Sequence, residues 1–181
     1  MNKREVKLYI ESYLKSYHIP YRHLNNNGNI CSIEDINTLY LFFNLHSIGG
    51  VEEDLNFYSD SIYIRSYFSK EVADMACSYS NKSALLTLIN HINANVQFNH
   101  LISVPRLYLS TDGHNDIALS CSIPYDVFSI GPIECCEFIT GYMPEFIEKI
   151  APYIIFLVSN RIADVNELTA AIDRRIEEGW V

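Results

Sequence analysis

The sequence predicts an α+β fold in which an antiparallel β-sheet of about six strands carries helices mainly on one face. Segments in which apolar and polar residues alternate are typical of strands with one buried face. Segments in which apolar residues recur every three or four positions are typical of helices that pack by one stripe. These segments follow one another in the order α-β-β-β-β-α-β-β-α-α, which places helices at both ends and in the middle.

The chain begins with a predicted helix at residues 5–17, and Pro20 prevents its continuation because proline has no amide hydrogen to donate. Its buried stripe consists of Val6, Ile10, Tyr13, Leu14 and Tyr17. Residues 21–24 and 28–33 are predicted as two short strands. The segment 25–28 ends in Asn-Gly, which favours the tight hairpin turn between them.

Residues 38–45 are predicted as a central strand because both sides of the segment are apolar. Residues 49–55 begin with two glycines, contain three consecutive acids and are predicted as a loop. Residues 61–68 are predicted as a further strand. Ile62, Ile64 and Ser66 are expected on one face of this strand, and Tyr63, Arg65 and Tyr67 on the other.

A middle helix and a hairpin follow. The helix buries residues at spacings of four, three and four, with Ser80 expected to cap its first amides. These residues are Leu85, Ile89, Ile92 and Val96. Residues 107–109 and 117–123 alternate as two strands, and residues 111–116 are predicted as the turn that joins them.

After Pro124 the apolar period is helical again. The stripe consists of Cys136, Ile139, Met143, Phe146, Ile150, Tyr153 and Leu157. A break is expected near Gly141, because Pro144 fits the first turn of a new helix better than a helix interior. Pro152 is expected to bend the remainder.

The tail, residues 164–178, predicts a last helix that opens with a capping box from Asp164 to Glu167. Its apolar side chains are Leu168, Ala171, Ile172 and Ile176. The chain shows no internal repeat or linker. Residues 1–181 are therefore interpreted as a single domain with a C-terminal helical extension from about residue 161.

This order of elements resembles the YbjN-type family of bacterial proteins, whose fold is similar to that of type III secretion chaperones. The resemblance extends over about residues 4–160. Helix 85–96, which bears three asparagines, the hairpin after it and helix 135–150 show it most clearly. The resemblance implies a type III secretion chaperone-like fold, binding of protein partners without a cofactor, and a dimer.

Composition argues for a folded chain, because 49% of the 181 residues are hydrophobic and 19% are charged. No apolar run resembles a signal peptide or approaches the length of about 20 residues that spans a bilayer. We therefore expect a cytoplasmic protein. The formal charge of −9 disfavours nucleic acid and anionic membranes as partners and favours a partner with a basic segment.

Five cysteines without paired metal spacing are interpreted as small buried hydrophobic residues. They are Cys31, Cys77, Cys121, Cys135 and Cys136. Six histidines occur singly, so no metal site is predicted, although folding could gather distant ones. They are His18, His23, His46, His91, His100 and His114.

Three polar clusters each have an ordinary structural interpretation. Residues 112–116 superficially resemble a calcium loop but lack the spread of ligands that such a loop needs, so they are interpreted as a turn. The acids Glu52, Glu53 and Asp54 are interpreted as solvated. Of the three asparagines Asn90, Asn93 and Asn95, one is expected to bind the adjacent loop or strand backbone while the other two face water.

No nucleophile or phosphate-binding motif is present in the sequence, so we expect a chain with no catalytic, cofactor-binding or metal residues. The main hypothesis is a non-enzymatic protein-binding module, chaperone-like or regulatory. The alternative is a small-molecule sensor or enzyme with a tyrosine-lined pocket between the sheet and helix 133–157.

A homodimer is also predicted, because apolar side chains occupy nearly the whole circumference of residues 146–158. The residues that widen the stripe are Ile147, Ile154, Ile155, Phe156 and Val158. The last helix is the rival cover for this surface.

Overall fold

The computed structural model describes residues 1–23, 32–96, 102–110, 117–160 and 162–180, and it contains the α+β arrangement that the sequence predicts. The strands are β1 (Tyr21–His23), β2 (Thr38–Leu45), β3 (Gly49–Phe57), β4 (Ser61–Tyr67), β5 (Arg106–Leu109) and β6 (Ile117–Pro124). The helices are α1 (Lys3–Ser16), α2 (Lys70–Ser78), α3 (Lys82–Asn95), α4 (Tyr125–Ile130), α5 (Pro132–Glu137), α6 (Met143–Ser159) and α7 (Val165–Glu177).

The six strands form one antiparallel sheet in the order β1-β2-β3-β4-β6-β5. Residues that lie directly opposite in neighbouring strands point to the same face of a sheet. The inner face is therefore traced by Leu39 and Leu55, which pair with each other, and by Ile64, which pairs with Leu55. These side chains have no exposed surface and belong to one core with the buried stripes of α1, α3 and α6. Each fully buried Leu or Ile contributes about 1.5 to 3 kcal/mol.

The prediction of a loop at residues 49–55 is wrong, because these residues belong to β3, which pairs with β2 from Gly49 to Asn56. Gly49 has a φ of +75°, a conformation that glycine adopts without strain, and it pairs with Leu45 at the start of the hairpin. Val51, Leu55 and Phe57 then point to the core at alternate positions.

The strand predicted at residues 28–33 lies largely outside the described residues. Ile33–Asp35 form a turn of 3₁₀-helix, not the end of a strand, while residues 24–31, with the expected hairpin turn, lie outside the described residues. Among the described residues the sheet has six strands, and β3 is one that the sequence analysis did not assign.

Helix α2 was not predicted. It is short, and its buried residues are Val72, Ala73 and Ala76, so its apolar signal is weak. Asn81, not Ser80, caps α3, because the Asn81 side chain accepts a hydrogen bond from the amide of Ala84.

The expected break near Gly141 is a change of helical pitch within one helical run. Phe138–Tyr142 form a turn of π-helix between α5 and α6, in which the amide of Met143 donates to the carbonyl of Phe138. Pro144 lies two residues after this turn and has no amide hydrogen to donate to the carbonyl four residues earlier. The π-helical turn therefore lies where one α-helical hydrogen bond would be missing. α6 continues through the exposed Pro152 to Ser159.

Helix α7 begins as predicted, with Asp164 as its cap, although the Asp164 carboxylate accepts from the amide of Asn166. α7 packs against α3 with Ile172 fully buried. No helix in the described part of the chain has both the length and the apolar character needed to cross a membrane.

The apolar circumference of α6 is covered largely within the chain. α6 packs against β2, α2 and α3, and Ile147 and Ile154 have no exposed surface. Trp180, beyond α7, contacts Tyr153 with ring centroids 5.8 Å apart. Phe156 is 50% exposed and is the one large apolar side chain of α6 that faces outward.

Candidate functional site

The outer face of the sheet carries four half-buried tyrosines around one arginine. Tyr40 lies directly opposite Asp54, which lies opposite Arg65 on the next strand. Tyr67 and Tyr108 both lie opposite Ala118. Because Arg65 and Tyr67 are two residues apart on β4, these side chains point to the same face. Tyr63 precedes Arg65 by two residues on β4 and points the same way. We call this surface the tyrosine face; it comprises Tyr40, Tyr63, Arg65, Tyr67 and Tyr108.

Arg65 organises the centre of the tyrosine face. Its Nη2 donates to the Asp54 carboxylate at 3.2 Å, and its guanidinium carbon lies 5.9 Å from the ring centre of Tyr63 and 5.4 Å from that of Tyr67. An arginine between two aromatic rings is attracted to their electron-rich faces. These contacts restrict the side chains of the two tyrosines.

A cleft of about 480 Å³ lies where the tyrosine face meets α2. We call it the acidic cleft; its lining consists of Tyr40, Glu52, Asp54, Tyr67, Phe68, Lys70, Ala73 and Asp74. The lining thus contains three carboxylates and one ammonium. Asp54 is 7% exposed, and its Oδ1 has no hydrogen-bond partner in the described structure.

The carboxyls of the acidic cleft are unfavourable places for negative charge. Burial raises the pKa of Glu52, the adjacent Asp54 charge raises it further, and Arg22 opposes both effects. Burial also raises the pKa of Asp54, against the attraction of Arg65 and the hydrogen bonds that Arg65 and Tyr67 donate to its carboxylate. The acidic cleft would therefore stabilise a positive group brought next to these carboxyls.

Glu53 lies between those two acids in sequence but on the inner face of the sheet. It has no exposed surface, and its Oε2 accepts a hydrogen bond from the Ser66 hydroxyl while Oε1 has no partner among the described residues. Burial raises the pKa of Glu53 to about 8. The interpretation of residues 52–54 as solvated is thus wrong for Glu53 and Asp54 and correct for Glu52.

Val51, Leu55 and Phe57 mark the inward phase that Glu53 shares, but the two leading glycines and three consecutive acids are typical of a loop and hide that phase in the sequence. Cys121 and Met143 lie next to each other on this side of the sheet, with their sulfur atoms 3.9 Å apart. The Cys121 thiol is neutral, because burial raises its pKa to about 12.

Two further cysteines, Cys135 and Cys136, are buried as predicted, and burial raises their pKa values to about 11 and about 12. Cys77 is exposed, which contradicts the expectation of a buried residue, because it lies on the outer side of the short helix α2. Cys31 lies outside the described residues.

The histidines are not gathered into a metal site within the described ranges, where no group of three or more His, Cys, Asp or Glu side chains has suitable geometry. His91 joins two helices, with its Nε2 2.8 Å from the Asp173 carboxylate of α7. His18 and His46 are exposed, and His23 lies on β1. His100, His114 and the predicted turn at residues 111–116 are outside the described residues.

Asn93 has the backbone role that was predicted for one of the three asparagines. Its side-chain amide donates to the carbonyl of Leu107 at 2.7 Å and accepts from the amide of Leu107 at 2.8 Å. Asn90 and Asn95 are exposed, and Asn95 donates to the carbonyl of His91. Asn93 thus fixes α3 to the outer strand β5.

A second aromatic surface lies on α1. Tyr9, Tyr13 and Tyr17 follow one another at four-residue spacing and line, with Ile133, a cleft of about 310 Å³. Tyr13 and Tyr17 contact each other with ring centroids 4.5 Å apart. None of the residues that line this cleft carries a charge, in contrast to the acidic cleft.

The tyrosine-lined pocket of the alternative hypothesis was expected between the sheet and the long helix. The tyrosine face lies on the opposite side of the sheet, while the inner residues of β2, β3 and β4 are apolar apart from Glu53 and Ser66. Compared with protein-family models, with curated proteins and with solved structures, the chain has no match.

Proposed function

We propose that the chain is a non-enzymatic protein-binding module, chaperone-like or regulatory, that binds a partner protein on the tyrosine face. The supporting observation is that one face of the sheet is packed under helices while the other presents four half-buried tyrosines and an arginine. Tyrosine and arginine are enriched among the residues that dominate binding energy at protein interfaces.

The pre-set geometry of the tyrosine face favours this role. Tyr63 and Tyr67 contact the Arg65 guanidinium, which is itself bound to Asp54, so little side-chain freedom is lost when a partner binds. We also propose that the chain, which resembles the YbjN-type family, has the type III secretion chaperone-like fold of that family and acts in the cytoplasm.

The test is site-specific photo-crosslinking in cells of the source organism. A photoreactive phenylalanine derivative at position 108, on the tyrosine face, should crosslink a defined protein, and the same derivative at position 17, on the exposed side of α1, should not. Replacing both Tyr63 and Tyr108 by serine should abolish co-purification of that protein, whereas Tyr17→Ser should leave it unchanged.

Equal recovery of the partner by the face variant and the Tyr17 variant would place the interface elsewhere. A wild-type protein that recovers no partner but turns over a member of a metabolite panel would favour the enzyme alternative instead. Circular dichroism of each variant verifies that the fold is intact.

A further inference from the structure

The acidic cleft differs from the rest of the tyrosine face in both charge and shape. It is recessed, its volume of about 480 Å³ lies within the usual range of ligand pockets, and its rims come from both the sheet and α2. Glu52 and Asp74 are exposed at its mouth, and the largely buried Asp54 lies deeper.

The polar groups of the acidic cleft are incompletely paired. Asp54 shares one oxygen with Arg65, and its other oxygen has no hydrogen-bond partner in the described structure. A buried carboxylate oxygen without a donor is costly. Lys70 is the one cation of the lining and Arg65 already pairs with Asp54, so Glu52 and Asp74 leave an excess of one negative charge there, which Arg22 on β1 partly offsets.

Aromatic rings complete the cation-binding character. Tyr40 and Tyr67 line the acidic cleft together with the carboxylates. A lysine ammonium or an arginine guanidinium is attracted both to carboxylates and to the faces of tyrosine rings, whereas a hydrated metal ion gains less from the rings. Because burial raises the pKa values of Glu52 and Asp54, a bound cation would favour their ionised forms.

We propose that the acidic cleft receives a lysine or arginine side chain of the partner protein. This inference rests on the proposed binding function and specifies the chemistry of the partner. The partner would present a basic residue to the acidic cleft, and the partner surface around that residue would contact the tyrosine face. The formal charge of −9 on the whole chain would steer such a basic segment toward it.

The experiment uses short acetylated peptides that carry two lysines, two arginines or two glutamines, added to the isotope-labelled protein. Nuclear magnetic resonance should show shifts of the amides of residues 67–74 with the basic peptides and none with the glutamine peptide. The double substitution Glu52→Gln and Asp74→Asn should weaken binding of the basic peptides by about fivefold or more.

The matched control removes the same amount of charge elsewhere, by Glu167→Gln and Glu177→Gln on the exposed side of α7. It should leave peptide affinity within about twofold of the wild type, because those carboxylates contribute only weak, screened attraction. The same spectra show whether each variant is folded.

Basic peptides that bind neither variant nor wild type at millimolar concentration, or bind the cleft variant as well as the control, would overturn the cation site. The partner crosslinking at position 108 is measured separately. A cleft variant that loses no peptide affinity while the Tyr63 and Tyr108 variant loses its partner refutes this inference alone. If the cleft variant binds the basic peptides more weakly but the Tyr63 and Tyr108 variant still captures its partner, the proposed function is refuted instead.

Discussion

Replacing Glu53 by glutamine should change how the stability of the protein depends on pH. Glutamine has nearly the shape of a protonated glutamic acid but does not ionise. Glu53 is fully buried on the inner face of β3, and burial raises the pKa of its carboxyl from 4.5 to about 8. In the folded protein the group therefore holds its proton at neutral pH, whereas in the unfolded chain it releases it.

The sign and size follow from proton linkage. Between the two pKa values the folded state binds one more proton than the unfolded state, so stability decreases as pH rises. The stabilising effect of protonation is fully present below pH 4.5 and is lost as pH approaches about 8. At about 1.4 kcal/mol per pH unit, the wild type should lose about 4 kcal/mol from this group between pH 5 and pH 9.

The Glu53→Gln variant should lack this decline. At pH 5 it should be about 1 kcal/mol less stable than the wild type, because the second amide hydrogen of glutamine finds no acceptor in the core. At pH 9 it should be the more stable protein. The free energy of unfolding in urea, followed by circular dichroism at several pH values and constant ionic strength, gives both curves.

Glu52→Gln is the control, since Glu52 is the sequence neighbour of Glu53 and lies exposed on the opposite face of β3. Its curve should keep most of the wild-type decline toward pH 9, because Glu53 is unchanged in this variant and the shift at Glu52 is smaller. If the difference in stability between wild type and Glu53→Gln does not change with pH, the carboxyl is not held protonated in the core and the reasoning fails.

Three further predictions concern the packing. Phe146→Ala should cost about 3 to 5 kcal/mol in urea unfolding, because Phe146 is 4% exposed; a loss under about 1 kcal/mol would show that the α6 stripe is not packed. Asn93→Ala should cost about 2 kcal/mol by removing both bonds to Leu107, and the exposed Asn90→Ala should cost little; equal losses would contradict the role of Asn93. The sequence predicts a homodimer, and Phe156 is the large apolar side chain of α6 that stays exposed for a contact with a second subunit. Sedimentation velocity at micromolar concentration should show a dimer that Phe156→Glu dissociates, whereas a wild-type species of 20.8 kDa would refute the dimer.

Periodicity predicted most of the fold because most elements bury one uninterrupted face. β4 is an example: its inward and outward side chains alternate without exception, so the sequence already placed Tyr63, Arg65 and Tyr67 on one side. β3 was missed because the buried Glu53 interrupts its apolar phase. No local pattern reveals that a carboxyl lies in a core, since that depends on strands far along the chain.

The candidate site was less predictable for the same physical reason. The sequence placed three residues of the tyrosine face on a common side but did not show that the helices of the described residues pack on the other side. The acidic cleft requires α2 beside β3, and α2 is a short helix with a weak apolar stripe. A cleft formed between two elements is a property of their packing, which periodicity within each element does not contain.

The pairing of Asn93 with Leu107 has a consequence for solubility. Among the described residues β5 is the last strand on its side of the sheet, and an unpaired strand edge is a template for joining with another chain. The Asn93 amide occupies both the donor and the acceptor of Leu107, as the backbone of a further strand would. One side chain of α3 thus occupies the backbone groups of Leu107 that a further strand would need, so this edge cannot be extended at that residue by fibril-like pairing.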